Sequence, residues 1–530
     1  MVLMISMKRI PLWLWCLLVI LIGLIAGKWL GQWAADPPET KAQSTPKTPR
    51  VQRETPAYAH KVGERPEAKS PRDQEALDRG ALAGQRTVRF GSADELAAFL
   101  RDIDGRSIVV LGKIPGLNTL RIGFRDPSVL DDLLGDNANL DYIFPSFIPN
   151  QGTVQDGAVG FGNRFLEWLG APQDRSGLGA NLKIAVLDTG IGNNRQFTNA
   201  IQSVNLIDLP ENLSDMNGHG TAVASLIASQ LGLAPDADLF SFRIADDNGI
   251  SDTFLIAQAI TMAAEQGVDL INVSLGSHTG SLVLEDAVNF ATERGLLIIA
   301  SSGNDGINQV VYPAAYDGVA SIGSVDARGT LLDFSNRGDV DLTAPGLDLT
   351  SAWPDDQLVS FTGTSASAPI ATGAIAAVMS SENVTAQRAL ELIVAHANEA
   401  GAPGADPGFG EGMIDLGRIA RRNQPDFADL ALASNHINVE NGRATLQVTV
   451  ENRGNTQTIN SPVEVTTPHG TQQLNVVGLG PGDIHTFNLP LALGDQPVEI
   501  RSRVQLTDGG ADSIPSNNSR TDVFTPESAP

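Results

Sequence analysis

The feature that most constrains this chain is a series of short, nearly unbroken apolar runs separated by segments of helical periodicity. The runs are Lys183 to Leu187, Leu239 to Ile244, Leu270 to Val273, Leu296 to Ala300 and Val319 to Ile322. A strand with one wet face alternates apolar and polar residues, whereas a strand covered on both faces does not. Between the runs lie Ala222 to Ser229, Thr253 to Glu265 and Leu282 to Arg294, whose apolar residues recur at helical spacing. Strand and helix in alternation imply a parallel β-sheet flanked by helices, an α/β fold. Ligands of such sheets bind at the carboxyl ends of the strands. Polar residues just past those ends are therefore the candidates for chemistry.

Three of them stand out. Asp188 closes the first run and is followed by Thr189-Gly190. Asn304 follows Ile298 to Gly303, past another strand end. His219 stands between two glycines in Gly218-His219-Gly220-Thr221, at the entrance to the helix from Ala222, and glycines there suggest close approach of backbone or ligand. A fourth residue, Ser365, lies in Gly363-Thr364-Ser365-Ala366-Ser367-Ala368-Pro369, before the apolar run Ile370 to Met379. Small polar residues before an apolar run read as a helix start, where free N–H groups face a ligand. Taken singly, each has an ordinary structural explanation: a turn aspartate, a packed histidine, a turn asparagine, an N-cap serine. Together they form a set. A serine hydroxyl needs a base, histidine has the suitable pKa, a carboxylate fixes its tautomer, and an amide can hold the oxyanion.

On these motifs, with Ser274-Leu275-Gly276, residues 182–420 resemble the catalytic domain of a subtilisin-like serine peptidase, a subtilase. The order Asp, His, Ser is the one found in subtilisin. The resemblance implies Asp188, His219 and Ser365 as catalytic triad, and Asn304 with the Ser365 N–H as oxyanion hole. It also implies that Ser274, Leu275 and Gly276, opposite the segment Asn248 to Asp252, bracket an extended substrate peptide by strand addition. Ser301, Ser302 and Gly303 would line the first specificity pocket. Asp252, beside that cleft, is either a solvated surface carboxylate or a group favouring basic substrate side chains. No cofactor is required. Calcium is common in the family, but the loop that holds it is shortened here to Ser229-Gln230-Leu231-Gly232-Leu233, and no metal ligand set is assigned. Ala222 stands where the family often has a second histidine, and Ala366 where several members carry an oxidisable methionine.

The flanks complete the plan. Residues 1–35 hold an apolar span, 10–27, preceded by Lys8 and Arg9, which reads as an uncleaved membrane anchor with everything after Lys28 exported. Residues 36–80 are rich in Pro, Lys, Glu, Arg and Thr and read as a disordered tether. Residues 81–150 carry a β-α-β-β-α-β pattern: Thr87 to Phe90, a helix after the capping box Ser92 to Glu95, Ser107 to Leu111, Thr119 to Phe124, a helix from Pro127, and Leu140 to Phe147. A ferredoxin-like unit in this place resembles a subtilase propeptide, an intramolecular inhibitor whose tail, Pro145 to Gly160, would cross the active site and be cut by the enzyme itself. A short amphipathic helix, Phe161 to Leu169, opens the catalytic domain, set at 160–422. Residues 423–530 show short alternating strands and turns, an Ig-like or adhesion-type β-sandwich. The net charge of −25 argues against nucleic acid as partner. The single cysteine, Cys16, excludes an intrachain disulfide. The expected protein is an exported, membrane-anchored serine endopeptidase, periplasmic or at the cell surface, or secreted after processing, acting on proteins or peptides. The alternatives are an inert surface-binding protein working through its sandwich, and a serine peptidase whose base is a glutamate.

Overall fold

The computed structural model describes residues 71–134, 140–207, 215–494, 496–507 and 511–525. The expected anchor at 10–27 and most of the expected tether lie outside them. Among the described residues no helix is long and apolar enough to cross a membrane.

The N-terminal module consists of α1 (Pro71–Asp78), β1 (Gln85–Arg89), α2 (Ala93–Asp102), β2 (Ile108–Ile114), β3 (Thr119–Phe124), α3 (Ser128–Leu134) and β4 (Leu140–Asp141). Its antiparallel sheet has the order β2-β3-β1-β4, the ferredoxin-like arrangement read from the sequence. The capping box operates: Ser92 Oγ accepts from Glu95 N, and the Glu95 carboxylate reaches back to Gly91 N. Two boundaries differ from expectation. The tether does not extend to residue 80, because α1 packs its Ala76 against Tyr142 and Phe144 while Asp73 pairs with Arg86 at 2.6 Å. The expected strand Leu140 to Phe147 also breaks in two. Its second half, β5 (Pro145–Phe147), leaves the module and pairs with the catalytic domain.

That domain contains α4 (Phe165–Trp168), shorter than the helix expected over 161–169, then β6 (Lys183–Asp188), β7 (Ile201–Asn205), α5 (His219–Ala228), β8 (Asp238–Arg243), β9 (Ile250–Asp252), α6 (Thr253–Glu265), β10 (Leu270–Val273), α7 (Leu282–Thr292), β11 (Leu297–Ser301), β12 (Val319–Val325), β13 (Leu342–Pro345), the hairpin β14 (Leu349–Trp353) and β15 (Gln357–Phe361), α8 (Thr364–Glu382), α9 (Ala386–Ala395) and α10 (Leu416–Arg421). Seven parallel strands form its sheet in the order β13-β12-β11-β10-β6-β8-β7. Two apolar cores cover its faces, one built with α5 and α8, the other with α6 and α7. Helix α8 is buried from Thr364 to Met379. Its run of Ala, Gly and Ser lets its backbone lie close to the sheet.

The C-terminal module is a β-sandwich, as read. One sheet holds β16 (Leu430–Glu440), β17 (Arg443–Asn452) and β20 (Ile484–Leu491); the other holds β18 (Thr458–Thr467), β19 (Gly470–Leu479), β21 (Val498–Val504) and β22 (Ser519–Phe524). Leu446, Val448, Val450, Val463, Val465 and Ile500 fill the space between them.

A buried charge network joins the sandwich to the catalytic domain. Glu451 of β17 pairs with Arg418 of α10, and with Arg453 at 2.8 Å. Burial works against the Glu451 anion, but the two guanidinium groups hold its carboxyl below the usual range. Nearby Glu399 accepts from Gly404 N, yet burial and the neighbouring Glu451 and Asp406 push it up to about 7. An acid raised in this way favours folding while protonated. Its contribution is full below the unfolded carboxylate range and is lost as pH rises through about 7. Glu399→Gln is therefore expected to stabilise the protein near pH 8 by about 1 kcal/mol after solvent screening, and to leave stability near pH 5 unchanged. Thermal unfolding at both pH values checks this; equal shifts at the two would point to packing instead of charge.

Candidate active site

The carboxyl ends of β6, β10 and β11 lie side by side. Val273 pairs with Leu187 on one flank and with Ala300 on the other, so the residues that follow share one rim. Asp188 ends β6, Ser274 to Gly276 follow β10, Ser301 ends β11, and Ser302 to Asn304 follow it.

Asp188 is fully buried. Its Oδ1 accepts from Thr189 N at 2.8 Å and lies 2.8 Å from His219 Nδ1, with Oδ2 at 3.0 Å. Facing a carboxylate, which can only accept, Nδ1 is the ring nitrogen that donates, and Nε2 points the other way. His219 Nε2 is buried and has no hydrogen-bond partner among the described residues. The ring packs edge-on against Phe361 with centroids 5.2 Å apart. The flanking glycines answer to close approach, as the sequence suggested. A Cβ at Gly218 would lie 2.1 Å from the Trp353 ring, and one at Gly220 would lie 2.1 Å from Gly190 O.

Ser365 stands in the first turn of α8 and is 2 % exposed. Asn304 is held by its oxygen: Oδ1 accepts from Thr364 N at 2.9 Å and from Thr364 Oγ1 at 2.7 Å. That fixes which way the amide points. Its Nδ2 faces the cleft and donates to the carbonyl oxygen of Asn150 at 3.0 Å. A methyl group built on Gly363 would lie 2.8 Å from Asn304 Nδ2 and 3.5 Å from Ser365 Oγ, so both groups converge on one point.

The segment leading to Asn150 occupies the cleft as an added strand. Pro145, Ser146 and Phe147 pair antiparallel with Asp252, Ser251 and Ile250. On the other side Phe147 N donates to Gly276 O at 2.8 Å and Gly276 N donates back to Phe147 O at 3.1 Å. Ile148 N donates to Gly249 O at 3.0 Å. The two edges expected to bracket a peptide thus bracket this one.

The other expected residues take separate places. Leu275 is fully buried, and Ser274 Oγ accepts from Asn272 Nδ2 at 3.0 Å. Ser302 is tied by its backbone to Ile322 and Val311, and Gly303 N donates to Thr364 Oγ1. Ser301 to Gly303 make no hydrogen bond to 145–150 among the described residues; Asn304 does. Asp252 needs correction. It is fully buried, caps α6 by accepting from Leu255 N at 2.9 Å, and pairs with Arg121 of the N-terminal module at 2.8 Å, so it is not a solvated carboxylate.

The five-residue connection after α5 is closed by its own bonds, Leu231 N to Ser229 Oγ and Gly232 N to Ser229 O, and its Gln230 and Gly232 carbonyls accept from Arg175. Among the described residues no group of three or more His, Cys, Asp or Glu is arranged to hold a metal.

With this geometry in view, the comparisons with known proteins carry a class. Residues 179–412 match the subtilase family. The chain is 36 % identical over 256 residues to a thermostable alkaline protease of Halalkalibacterium halodurans, covering 47 % of this chain and 70 % of that protein. It is 37 % identical over 215 residues to subtilisin Savinase of Lederbergia lenta, covering 39 % and 80 % respectively. It is 34 % identical over 245 residues to the minor extracellular protease Epr of Bacillus subtilis, covering 44 % and 38 %. The chain belongs to the subtilase family and is a serine-type endopeptidase. The inert binding protein considered from sequence is thereby set aside. The N-terminal module and the sandwich fall outside the matched residues.

Sequence reasoning missed Asp215. It is buried beside His219, accepting from Gly218 N at 2.8 Å, Thr221 N at 2.9 Å and Thr221 Oγ1 at 2.6 Å. It caps α5 and so fixes where His219 starts. The signal was present as an Asx residue followed by a threonine at the helix start, but the histidine drew attention from it. Asp215→Ala strands three buried donors and is expected to cost about 2–4 kcal/mol of stability. The folded fraction is expected to cleave peptide more slowly, with kcat falling more than KM rises. Denaturant melts alongside steady-state kinetics check both.

Proposed function

We propose that this endopeptidase works through Ser365, His219 and Asp188, is made as a precursor, and cuts its own chain between Asn150 and Gln151. The observation that carries the reading is the hydrogen bond from Asn304 Nδ2 to the Asn150 carbonyl oxygen. A carbonyl so polarised, at the end of a strand added to the cleft, is in the position of a bond about to be attacked.

The chemistry follows from the side chains. Asp188 holds the Nδ1 proton, so Nε2 is the basic nitrogen. It takes the Ser365 hydroxyl proton as Oγ bonds to the carbonyl carbon, and Asp188 stabilises the imidazolium that forms. The oxyanion accepts from Asn304 Nδ2 and the Ser365 N–H, one of the free donors of the α8 N-terminus. Nε2 then passes its proton to the leaving amine. Water enters by the same route and releases the acyl group from Ser365.

Residues 71–150 act in this scheme as an intramolecular inhibitor: the strand β5 fills the cleft that a protein substrate would enter. The apolar span at 10–27 anchors the precursor in a membrane, with the catalytic domain on the exported side. Proteins and peptides in extended conformation are the substrates, taken by strand addition between β9 and Gly276.

Two outcomes are expected. Wild-type protein matures to a form whose N-terminus is Gln151, seen by mass spectrometry, and labels with a fluorophosphonate probe; Ser365→Ala stays at precursor length and does not label. A mature N-terminus far from Gln151 would sink the assignment of the bond. Asn304→Ala is expected to lower kcat by about 10²–10³ with little change in KM, the scale known for removal of one such donor from subtilisin.

A further inference from the structure

Asp252 carries a feature that peptide hydrolysis does not use. It is a fully buried carboxylate at the seam between two modules. One oxygen is committed to the α6 cap, accepting from Leu255 N. The other faces Arg121 Nη1 at 2.8 Å. Arg121 belongs to β3 of the N-terminal module and is almost as buried. Its guanidinium is held in place by Gln85 Oε1, which accepts from Nε at 2.8 Å, and it stands over the Phe254 ring at 5.7 Å. The catalytic domain thus supplies a carboxylate from the N-cap of α6 and an aromatic face from its first turn, and the N-terminal module supplies the cation between them.

We propose that Asp252 and Phe254 form a guanidinium site on the catalytic domain, filled by Arg121 in the precursor and by an arginine of the substrate in the mature enzyme. The proposal rests on departure of residues 71–150 after the cut at Asn150. Once they leave, Asp252 loses the charge that balances it while staying fixed by its cap. A buried carboxylate stripped of its partner gains most from a new cation that arrives with its own hydrogen-bond donors. Arginine suits the site better than lysine, because its planar group can pair with the carboxylate while lying against the Phe254 ring.

The ladder says where that arginine belongs. Pro145 is the cross-strand partner of Asp252. Paired residues on antiparallel strands put their side chains on the same face. A substrate that binds as β5 does, with its scissile carbonyl at the Asn150 position, brings its residue at the Pro145 position alongside the Asp252 carboxylate. The site therefore reads a substrate well upstream of the bond it cuts and leaves the residues around that bond free to vary.

The test compares two peptides that span the cleft and differ only at the Pro145 position, one with arginine and one with its neutral isostere citrulline. They are offered to the full-length protein after maturation, with its N-terminus sequenced in the same sample. The arginine peptide is expected to show a kcat/KM about three- to tenfold higher, carried mainly by KM, and the ratio is expected to fall as salt is raised. Asp252→Asn keeps the cap, since asparagine accepts from Leu255 N as aspartate does, and is expected to bring the ratio to about one. A ratio of about one in wild-type protein that begins at Gln151, or a ratio that survives Asp252→Asn, overturns the site while leaving the maturation reading intact. Protein that hydrolyses both peptides while retaining residues 71–150 overturns the maturation reading, and the site with it.

Discussion

The double pairing of β10 is the constraint on which the rest depends. This strand is hydrogen-bonded to β6 on one edge and to β11 on the other, in register from Leu270 to Val273. Strand ends then stop at a common level, and the loops that leave them open onto one rim. Asp188, Gly276 and Asn304 come from three loops far apart in the chain and meet because those three strands end together. In a sheet buried on both faces, a slip of one residue would turn each strand's inward and outward side chains over. The register is therefore as tightly specified as the packing of the cores on either side.

Orientation at the rim is set by groups that do no chemistry themselves. Thr364 fixes the Asn304 amide by bonding its oxygen twice, which leaves only the NH₂ to face the cleft. Thr189 and His219 share the Asp188 carboxylate, and Asp215 anchors the turn from which His219 projects. Among the described residues His219 Nε2 is one of several buried polar atoms without a hydrogen-bond partner, Ser301 Oγ on the same rim being another. Buried polar atoms are normally satisfied. A histidine nitrogen left open where four loops converge is what the proposed role of His219 as base needs.

The N-terminal module meets the catalytic domain through an added strand and through contacts behind it. The hydrogen bonds that strand β5 makes with β9 and with Gly276 run through the backbone, as any extended peptide's can. What distinguishes this occupant lies away from the ladder: Arg121 on Asp252, Asp141 Oδ2 accepting from Leu282 N at 2.6 Å, and Thr253 N donating to Phe144 O at 2.9 Å. Two of these contacts end on the first turns of α6 and one on α7. The helix starts behind the cleft thus hold the module, while in the cleft the backbone pairs with both edges and Ile148 packs against the apolar core. On the reading proposed above, a surface arranged in this way would tell occupants apart at a distance from the bond that is cut.

The alternation of apolar runs and helical segments determined the parallel sheet, the ferredoxin-like order of the N-terminal module and the paired sheets of the sandwich, because each rests on local periodicity. The motif residues Asp188, His219, Asn304 and Ser365 could be picked out only as a set, since each alone has an ordinary structural explanation while a hydroxyl, an imidazole, a carboxylate and an amide complete one another's chemistry. Edge elements were not: β7, β13 and the β14–β15 hairpin have weak patterns of their own and take their form from neighbours. The fate of Pro145 to Phe147 was likewise undecided by sequence, because an extended run does not say which partner it will pair with. Nor could the sequence tell whether Asp252 faces water, substrate or another module. Burial and charge pairing belong to the assembled chain, and only the packing of β3 against α6 placed Arg121 on that carboxylate.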